Sequence, residues 1–235
     1  FMHIADGFLP ARVCIASYAA TGVLAWYSFR RIARDPKAQE QIPKTALLSA
    51  AFFAVSSLHI PIPPTSVHPI LNGLLGAVLG MYAFPAILVG LFFQAVMFHH
   101  GGMSVLGVNA LIMGIPALVA SQIFQWRHRV RDRDRRWTML FAFFAGALGV
   151  GLSTLLFYGI VVTNIPADLD VMAERSAIGI LVLAQLPLTI IEGAFTAMLI
   201  AFLEQVKPDL LNVSPRRYHR DYNPYADYSD SSPIE

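Results

Sequence analysis

Charged residues are scarce in this sequence. Asp, Glu, Lys and Arg make up 14% of the 235 residues, whereas hydrophobic residues make up 56% and the mean hydropathy is +0.56. A soluble globular domain typically has about 25% charged residues, so a soluble enzyme, a coiled coil and a disordered chain are poor interpretations. The composition instead predicts a protein embedded in a lipid bilayer.

Cysteines and catalytic motifs are also few. Cys14 is the single cysteine, which excludes an intrachain disulfide and a cysteine-based metal cluster. The sequence has no G-x-x-x-x-G-K-[ST] motif, and no Gly-Lys pair at all, so the chain itself is not expected to hydrolyse ATP. It also lacks H-E-x-x-H, so an intramembrane zinc protease is unsupported. We therefore do not expect an enzyme.

Long apolar runs are abundant. A membrane-spanning helix needs about 20 apolar residues, and continuous runs without period-two alternation favour helices over barrel strands. Seven segments fit this description: residues 10–29, 45–60, 70–82, 84–98, 106–126, 137–162 and 177–203. The third is the weakest, because it rises only about 20 Å as a helix; it is either a tilted, bundle-buried helix or a re-entrant piece. The sequence predicts an all-α, polytopic membrane protein with about seven transmembrane helices.

The basic residues are concentrated after the first, fifth and seventh segments. They are Arg30, Arg31, Arg34, Lys37 and Lys44; Arg127, Arg129, Arg131, Arg133, Arg135 and Arg136; and Lys207, Arg216, Arg217 and Arg220. Cytoplasmic loops are enriched in Lys and Arg, and seven spans place all three stretches on one side. We therefore expect an external N-terminus, a transmembrane domain over residues 1–206 and a flexible cytoplasmic tail over residues 207–235.

The basic run over residues 127–136 does not indicate nucleic-acid binding. Asp132 and Asp134 interrupt it, it has no interleaved aromatic residues, and it lies between two predicted spans. A topology determinant that also touches anionic lipid is the simpler interpretation. The lipid bilayer, and no nucleic acid, is the expected partner of this surface.

Five of the seven histidines fall on or near the predicted external side: His3, His59, His68, His99 and His100. Imidazole is the commonest protein metal ligand. A histidine near a free N-terminus can also chelate a metal through the α-amine and the amide nitrogens that lie between the α-amine and the imidazole. Such a planar nitrogen set suits Cu(II) and Ni(II). A chain starting at Met2 supplies three of these nitrogens and needs a fourth, whereas one starting at Phe1 supplies four. A lone histidine is more often an interfacial polar residue, but five on one side favour a metal or proton role.

Five polar residues lie within or beside apolar segments: Asn72, Gln94, Asn109, Gln185 and Glu192. Intramembrane polar groups usually face the bundle interior. A proton-relay role for Glu192 would indicate a proton-coupled secondary carrier, but we favour a hydrogen bond that pins a helix. Two glycine pairs also stand out. Gly101 and Gly102, with His99 and His100, predict a flexible external turn, in which we favour access or supporting roles for the two histidines over direct ligation. Gly76 and Gly80 form a G-x-x-x-G, a weak signal of close helix contact.

The stretch Met-His-Ile-Ala-Asp-Gly-Phe-Leu-Pro at residues 2–10 resembles the N-terminus of the CbiM/NikM family. Members of this family are the substrate-capture subunits of cobalt and nickel energy-coupling-factor transporters. The resemblance continues in the proline-rich block 60–69, which contains His68, and in residues 72–76, 94–109 and 185–193. The first two blocks are specific, whereas the apolar stretches between them are not.

The resemblance implies a seven-helix fold whose external N-terminus is threaded into the bundle. The ion would be bound by the terminal amine of Met2, the amide and imidazole nitrogens of His3, and the imidazole of His68. The prolines before His68 fit a rigid, non-helical approach to it. Phe1 precedes the residue at which the family's chelating chain begins, and we expect the functional chain to begin at Met2.

The resemblance also implies partners and a cargo. The partners would be a transmembrane coupling subunit and cytoplasmic ATPases, with a small accessory membrane subunit as a further candidate, and the location would be the cell inner membrane. The transported substrate would be Co²⁺ or Ni²⁺. Planar nitrogen ligation and the Irving–Williams order favour nickel. By analogy with the family, the lack of a nickel-subunit-type extra domain favours cobalt. The transporter would then supply cobalt for cobalamin biosynthesis. A stand-alone proton-coupled carrier that uses Glu192 remains the alternative.

Overall fold

The computed structural model describes residues 3–58, 60–62, 65–99, 101–129, 135–166 and 170–211, with backbone only at 60–62, 65–67 and 209. The described part contains seven α-helices, which match the seven apolar segments one for one. Their bounds are α1 (Ala11–Ile32), α2 (Ala38–Ser56), α3 (Asn72–Leu79), α4 (Ala83–Phe98), α5 (Leu106–Gln125), α6 (Arg135–Thr163) and α7 (Val171–Val206). The predicted all-α class is confirmed.

Four helical stretches of the described chain are long and apolar enough to cross a bilayer. They are Asn72–Phe98, Leu106–Arg129, Arg135–Thr163 and Val171–Val206. The first of these contains α3 and α4, joined by a short 3-10 turn at Gly80–Tyr82. A membrane protein with several spans is therefore confirmed, whereas the number seven and the external N-terminus stay predictions.

A sharp turn at Gly80 separates α3 from α4. Gly80 has φ +61°, a backbone conformation that glycine adopts without a Cβ clash. Next to the turn, the Tyr82 hydroxyl donates to Asp35 at 2.9 Å, and the Lys44 ammonium donates to the carbonyl of Val78 at 3.4 Å. Since α3 follows His68 and α4 ends shortly before Gly101, both of which lie next to His3, the chain reverses at Gly80 and the two helices run in opposite directions.

Helix α3 is the buried centre of the bundle. Seven of its eight residues are buried, and eight residues rise only about 12 Å, so α3 begins inside the bundle rather than at its rim. Its glycines allow backbone contact with neighbouring helices. A Cβ on Gly73 would collide with Ala145 of α6, and a Cβ on Gly76 would collide with Ala117 of α5. Of the two alternatives for this segment, the structure shows the bundle-buried helix.

The three basic stretches meet at one end of the bundle, which we call the basic end. Lys44 of α2 donates to the carbonyl of Leu210 at 3.1 Å, and Arg127, just after α5, donates to the carbonyl of Leu211 at 3.1 Å. The 3-10 turn Pro208–Leu211, at the start of the predicted tail, is therefore packed against the helices. Residues 212–235 lie outside the described residues, so the boundary at 206 stays a prediction.

A short β-hairpin connects α2 to α3. Strands β1 (Ile60–Ile62) and β2 (Thr65–Val67) pair antiparallel, with Ile60 opposite Val67. The hairpin confirms the expected non-helical approach to His68, although its strand pairing was not predicted. It enters the bundle at the end opposite the basic stretches.

Candidate metal site

His3 and His68 lie side by side at the end of the bundle opposite the basic end. Their ring centroids are 5.0 Å apart and their planes differ by 28°. Both side chains are buried, with 6% of His3 and none of His68 exposed. Two helices and a hairpin separate these residues along the chain, so the fold assembles the pair.

His3 and Ile4 are buried in the bundle before α1 begins, whereas Ala5, Asp6 and Gly7 are exposed. Ile4 is 3% exposed, and the side chain of Asn109 on α5 holds it from both sides. Asn109 Oδ1 accepts the backbone N–H of Ile4 at 2.9 Å, and Asn109 Nδ2 donates to the carbonyl of Ile4 at 3.2 Å. The residue directly after His3 is therefore fixed in position, as the resemblance implied for a threaded N-terminus.

A glycine turn between α4 and α5 closes over the threaded segment. Gly101 and Gly102 have φ of +83° and +95°, a conformation that side chains with a Cβ rarely adopt. A Cβ on Gly101 would lie 2.8 Å from Asn109 Nδ2 and 3.6 Å from the His3 side chain. The turn, predicted to be flexible and external, is thus in close contact with the buried site.

Asp6 ties the same turn to the N-terminal segment. Its Oδ1 accepts the backbone N–H of Ser104 at 3.0 Å and the Ser104 hydroxyl at 2.5 Å. A Cβ on Gly102 would collide with the Asp6 carboxylate. The Asp6 carboxylate therefore holds the turn between α4 and α5.

Glu192 of α7 fixes the backbone just after His68. Its two carboxylate oxygens accept the N–H groups of Ile70 and Leu71, the latter at 2.8 Å. The first N–H groups of a helix have no partner within the helix, and a carboxylate at that terminus is favourable. Glu192 is 3% exposed; it caps α3 from another helix. The favoured role, a hydrogen bond that pins a helix, agrees with this geometry.

Asn72 and Gln94 are two of the other intramembrane polar residues. Their side chains form hydrogen bonds that connect neighbouring helices. Asn72 Nδ2 donates to the Ser153 hydroxyl at 2.7 Å and to the carbonyl of Met113 at 3.2 Å, which links α3 to α6 and α5. Gln94 Nε2 donates to the Ser56 hydroxyl at 2.5 Å, which links α4 to α2. Gln185 is buried on α7.

The other predicted histidines do not join the pair within the described chain. His99 ends α4 in a left-handed conformation and is exposed. Met2, Phe1, His59 and His100 lie outside the described residues, so the predicted Met2 ligand stays a prediction. Within the ranges that the structure describes, no three His, Cys, Asp or Glu side chains form a metal-binding group.

The pair is close enough to share one ion. An imidazole nitrogen binds a divalent metal at about 2.0–2.1 Å, so two rings with centroids 5.0 Å apart can coordinate the same cation. Two imidazoles leave a first-row metal short of ligands. The remaining donors would have to come from other groups.

Sequence reasoning missed two contacts at this site. Asn109 was recognised only as an intramembrane polar residue, and Asp6 only as part of the N-terminal motif. Asn109 is a polar residue within an apolar segment and Asp6 belongs to the N-terminal motif, but neither periodicity nor spacing indicates that Asn109 contacts Ile4 or that Asp6 contacts Ser104.

The described chain is thus a multi-helix membrane bundle that brings His3 and His68 together in its interior. The family model described as "CbiM: Cobalt uptake substrate-specific transmembrane region" matches residues 3–210. The chain belongs to this CbiM family of transmembrane metal-transport proteins, and the predicted resemblance is confirmed.

Individual relatives agree with this assignment. The "Putative metal transport protein" of Haemophilus influenzae is 31% identical, over 90% of this chain and 97% of that protein. The "Fused nickel transport protein NikMN" of Rhodobacter capsulatus is 33% identical, over 92% of this chain and 65% of that protein. A crystal structure of a transition metal transporter superposes with a TM-score of 0.74 at 22% identity, covering 91% of this chain and 98% of that one. This last likeness shows the fold.

Proposed function

We propose that this chain is the substrate-specific subunit of an ATP-driven cobalt uptake transporter of the energy-coupling-factor type. The buried pair of His3 and His68, with ring centroids 5.0 Å apart, is the observation that carries the proposal. Both imidazoles bind Co²⁺, together with the amide nitrogen of His3 and the terminal amine of Met2. The ion is held within the bundle, at the end opposite the basic stretches.

The clamp on Ile4 supports a ligand set built on the chain start. Asn109 accepts the N–H and donates to the C=O of Ile4, so both polar backbone groups of Ile4 already have hydrogen-bond partners. The donors that remain on this stretch belong to His3 and to the residue before it. A chelate through consecutive backbone nitrogens and an imidazole is planar, and a rigid neighbour on one side reduces the entropy lost on binding.

Nickel is the alternative cargo. The family model is described by cobalt uptake, whereas a relative at 33% identity is named for nickel transport. Nitrogen ligands in a plane favour Ni²⁺ over Co²⁺. Cobalt is proposed because the family description over residues 3–210 names it; metal content of the purified chain, loaded from equimolar Co²⁺ and Ni²⁺, tests the choice.

Partner subunits supply the energy in this proposal. The sequence has no P-loop motif, and the nickel transport relative is named a fused protein, of which this chain covers 65%. We propose a transmembrane coupling subunit and cytoplasmic ATPases as separate partners. The alternative, a proton-coupled carrier using Glu192, is less favoured because both carboxylate oxygens accept backbone N–H groups, and a proton on either oxygen would compete with one of these bonds.

The central test compares uptake of radioactive cobalt by cells that express the variants with all partner subunits. His3→Ala and His68→Ala should each abolish uptake while the protein still inserts into the membrane, because each removes a coordinating nitrogen. His128→Ala is the control, since His128 is exposed at the basic end, and its uptake should equal the parent's. Parental uptake by His3→Ala would contradict the proposal, and uptake without any ATPase would favour the carrier.

A further inference from the structure

The candidate metal site is closed to solvent in this structure. His3 is 6% exposed and His68 is fully buried, so an ion reaches the two imidazoles only when a covering segment moves. One such segment is the turn at residues 101–104, which we call the α4–α5 turn. A Cβ on Gly101 would lie 3.6 Å from the His3 side chain, so this turn covers the candidate ligand directly.

The α4–α5 turn has glycines where a hinge needs them. Gly101 and Gly102 have φ of +83° and +95°, and His99, at the end of α4, has φ +52°. Hinges are a few loop residues that absorb large changes in φ and ψ, and glycine makes such changes without a Cβ clash. Just beyond the turn, Val105 is fully buried. The turn can therefore move while its far end stays anchored in the bundle.

Asp6 is the first of two side chains that hold the α4–α5 turn closed. Its carboxylate accepts the backbone N–H of Ser104 at 3.0 Å and the Ser104 hydroxyl at 2.5 Å. Both residues are exposed. Hydrogen bonds to a charged group are stronger than neutral ones, but water competes for exposed partners and keeps the net contribution modest. These bonds therefore hold the turn and still allow it to open.

Tyr18 of α1 is the second side chain that holds the turn. Its hydroxyl donates to the carbonyl of Met103. The Tyr18 backbone is itself fixed against α5, because a Cβ on Gly107 would lie 2.9 Å from the Tyr18 nitrogen and the Thr21 hydroxyl donates to the carbonyl of Gly107 at 2.8 Å. Loss of the bond to Met103 therefore frees the turn and leaves the helix in place. Since Met103 is 46% exposed, little apolar packing opposes this release.

We propose that the α4–α5 turn is a latched gate over the metal site, and that Asp6 and Tyr18 set how fast the ion enters and leaves. This inference rests on the proposed metal-capture function and adds the residues that control access to the site. When both latches open, the turn swings about Gly101 and Gly102 and uncovers His3. The same bonds hold the gate in the empty and in the loaded protein, so their loss speeds entry and release alike and leaves the affinity nearly unchanged.

The first test measures rates on the purified full-length chain: Co²⁺ binding, and Co²⁺ release to excess EDTA, both by stopped-flow absorbance. Tyr18→Phe removes only the hydroxyl, and we expect both rates to rise by about tenfold, the effect of one lost hydrogen bond, at a nearly unchanged dissociation constant. Asp6→Asn, which removes the charge, should act in the same direction. Tyr158→Phe is the matched control, since Tyr158 of α6 is also 40% exposed, and its rates should equal the parent's.

The second test locks the gate. The Asp6 carboxylate and the Ser104 hydroxyl are 2.5 Å apart, so cysteines at these two positions, in a Cys14→Ala background, face each other closely enough for a disulfide. The oxidised Asp6→Cys/Ser104→Cys chain, freed of oxidant before Co²⁺ is added, should bind the ion more slowly than the parent, and a reductant should restore fast binding. Asp6→Cys alone is the control and should not respond to the oxidant.

The outcomes separate the gate from the metal-capture function on which it rests. Unchanged entry in the disulfide-linked chain, or a Tyr18→Phe chain that keeps parental rates or accelerates release alone, would overturn the gate and leave metal capture intact. Tyr18→Phe keeps the test valid if the disulfide does not form. Failure of the parent chain to bind Co²⁺ would overturn the proposed function, and the gate with it.

Discussion

The side chain of Asn109 holds the backbone of Ile4 through both of its polar atoms, although the two residues are 105 positions apart. The contact joins the threaded N-terminal segment to the first turn of α5. Since Ile4 follows His3 directly, the placement of the candidate ligand depends on the hydrogen bonds that Asn109 makes to the neighbouring residue.

Asn109→Ala should weaken metal binding without removing a ligand. It leaves the buried N–H of Ile4 without its acceptor, and such a loss costs about 1–3 kcal/mol, so the affinity for Co²⁺ should fall by about tenfold or more. Gln122→Ala, an exposed change on the same helix, is the control. Affinity is measured by titration of the purified proteins, and parental affinity in Asn109→Ala would mean that the clamp does not position His3.

Glu192→Gln should lower metal affinity as well as stability. The amide has one acceptor oxygen for two N–H donors, those of Ile70 and Leu71, so the start of α3 and the adjacent His68 lose support worth about 1–3 kcal/mol. Glu174→Gln, on the same helix and partly exposed, should have little effect. The measurements are thermal unfolding and the Co²⁺ affinity of the chain without partners.

The same variant separates the two roles of Glu192. A proton relay would leave metal affinity and unfolding temperature unchanged in Glu192→Gln while transport stops. That combination of results would favour the proton-coupled carrier over a capping carboxylate.

Gly76→Ala should destabilise the bundle. The added Cβ would collide with the Ala117 backbone of α5, and overpacking of this kind costs about 1–3 kcal/mol. Gly22→Ala is the matched control, because a Cβ there has no neighbour within 4 Å, and alanine favours a helix. Thermal unfolding in detergent should show a lower midpoint for Gly76→Ala alone, and equal midpoints would refute the close contact.

Metal binding should weaken as pH falls. The terminal amine, with an ordinary pKa of about 7.7–8.0, must lose its proton to bind, so binding releases protons and acid opposes it. An upstream tag or N-terminal acetylation should act in the same direction, whereas a C-terminal tag should be harmless. A chain cut to begin at Met2 should bind at least as tightly as the Phe1 form. Unchanged affinity in the tagged chain would show that the amine is not a ligand.

Cysteine labelling should place the two ends of the bundle on opposite sides of the membrane. In a Cys14→Ala background, His128→Cys at the basic end should react with an impermeant reagent only from the cytoplasm. Ala173→Cys at the start of α7 should react only from outside, since both positions are exposed. The reverse pattern would place His3 and His68 in the wrong compartment for uptake.

The sequence by itself determined the helices, the class and the candidate ligands. Each of the seven apolar segments became one α-helix, including the weak third segment, because backbone polar groups in a bilayer must find partners within the segment. His3 and His68 were singled out by motifs that are local in sequence, and their role as ligands stays a prediction. The grouping of basic residues at one end, around Lys44 and Arg127, also agreed with the charge pattern.

Only the tertiary structure decided which polar groups meet. The contact of Asn109 with Ile4 and that of Glu192 with Leu71 depend on the rotation and depth of each helix, which periodicity does not encode. The same applies to the glycines of the predicted G-x-x-x-G: Gly76, in α3, packs against α5, whereas Gly80, just after α3, turns the chain. An apolar helix in lipid has no polar face to set its orientation, so close packing and buried hydrogen bonds between helices set it instead.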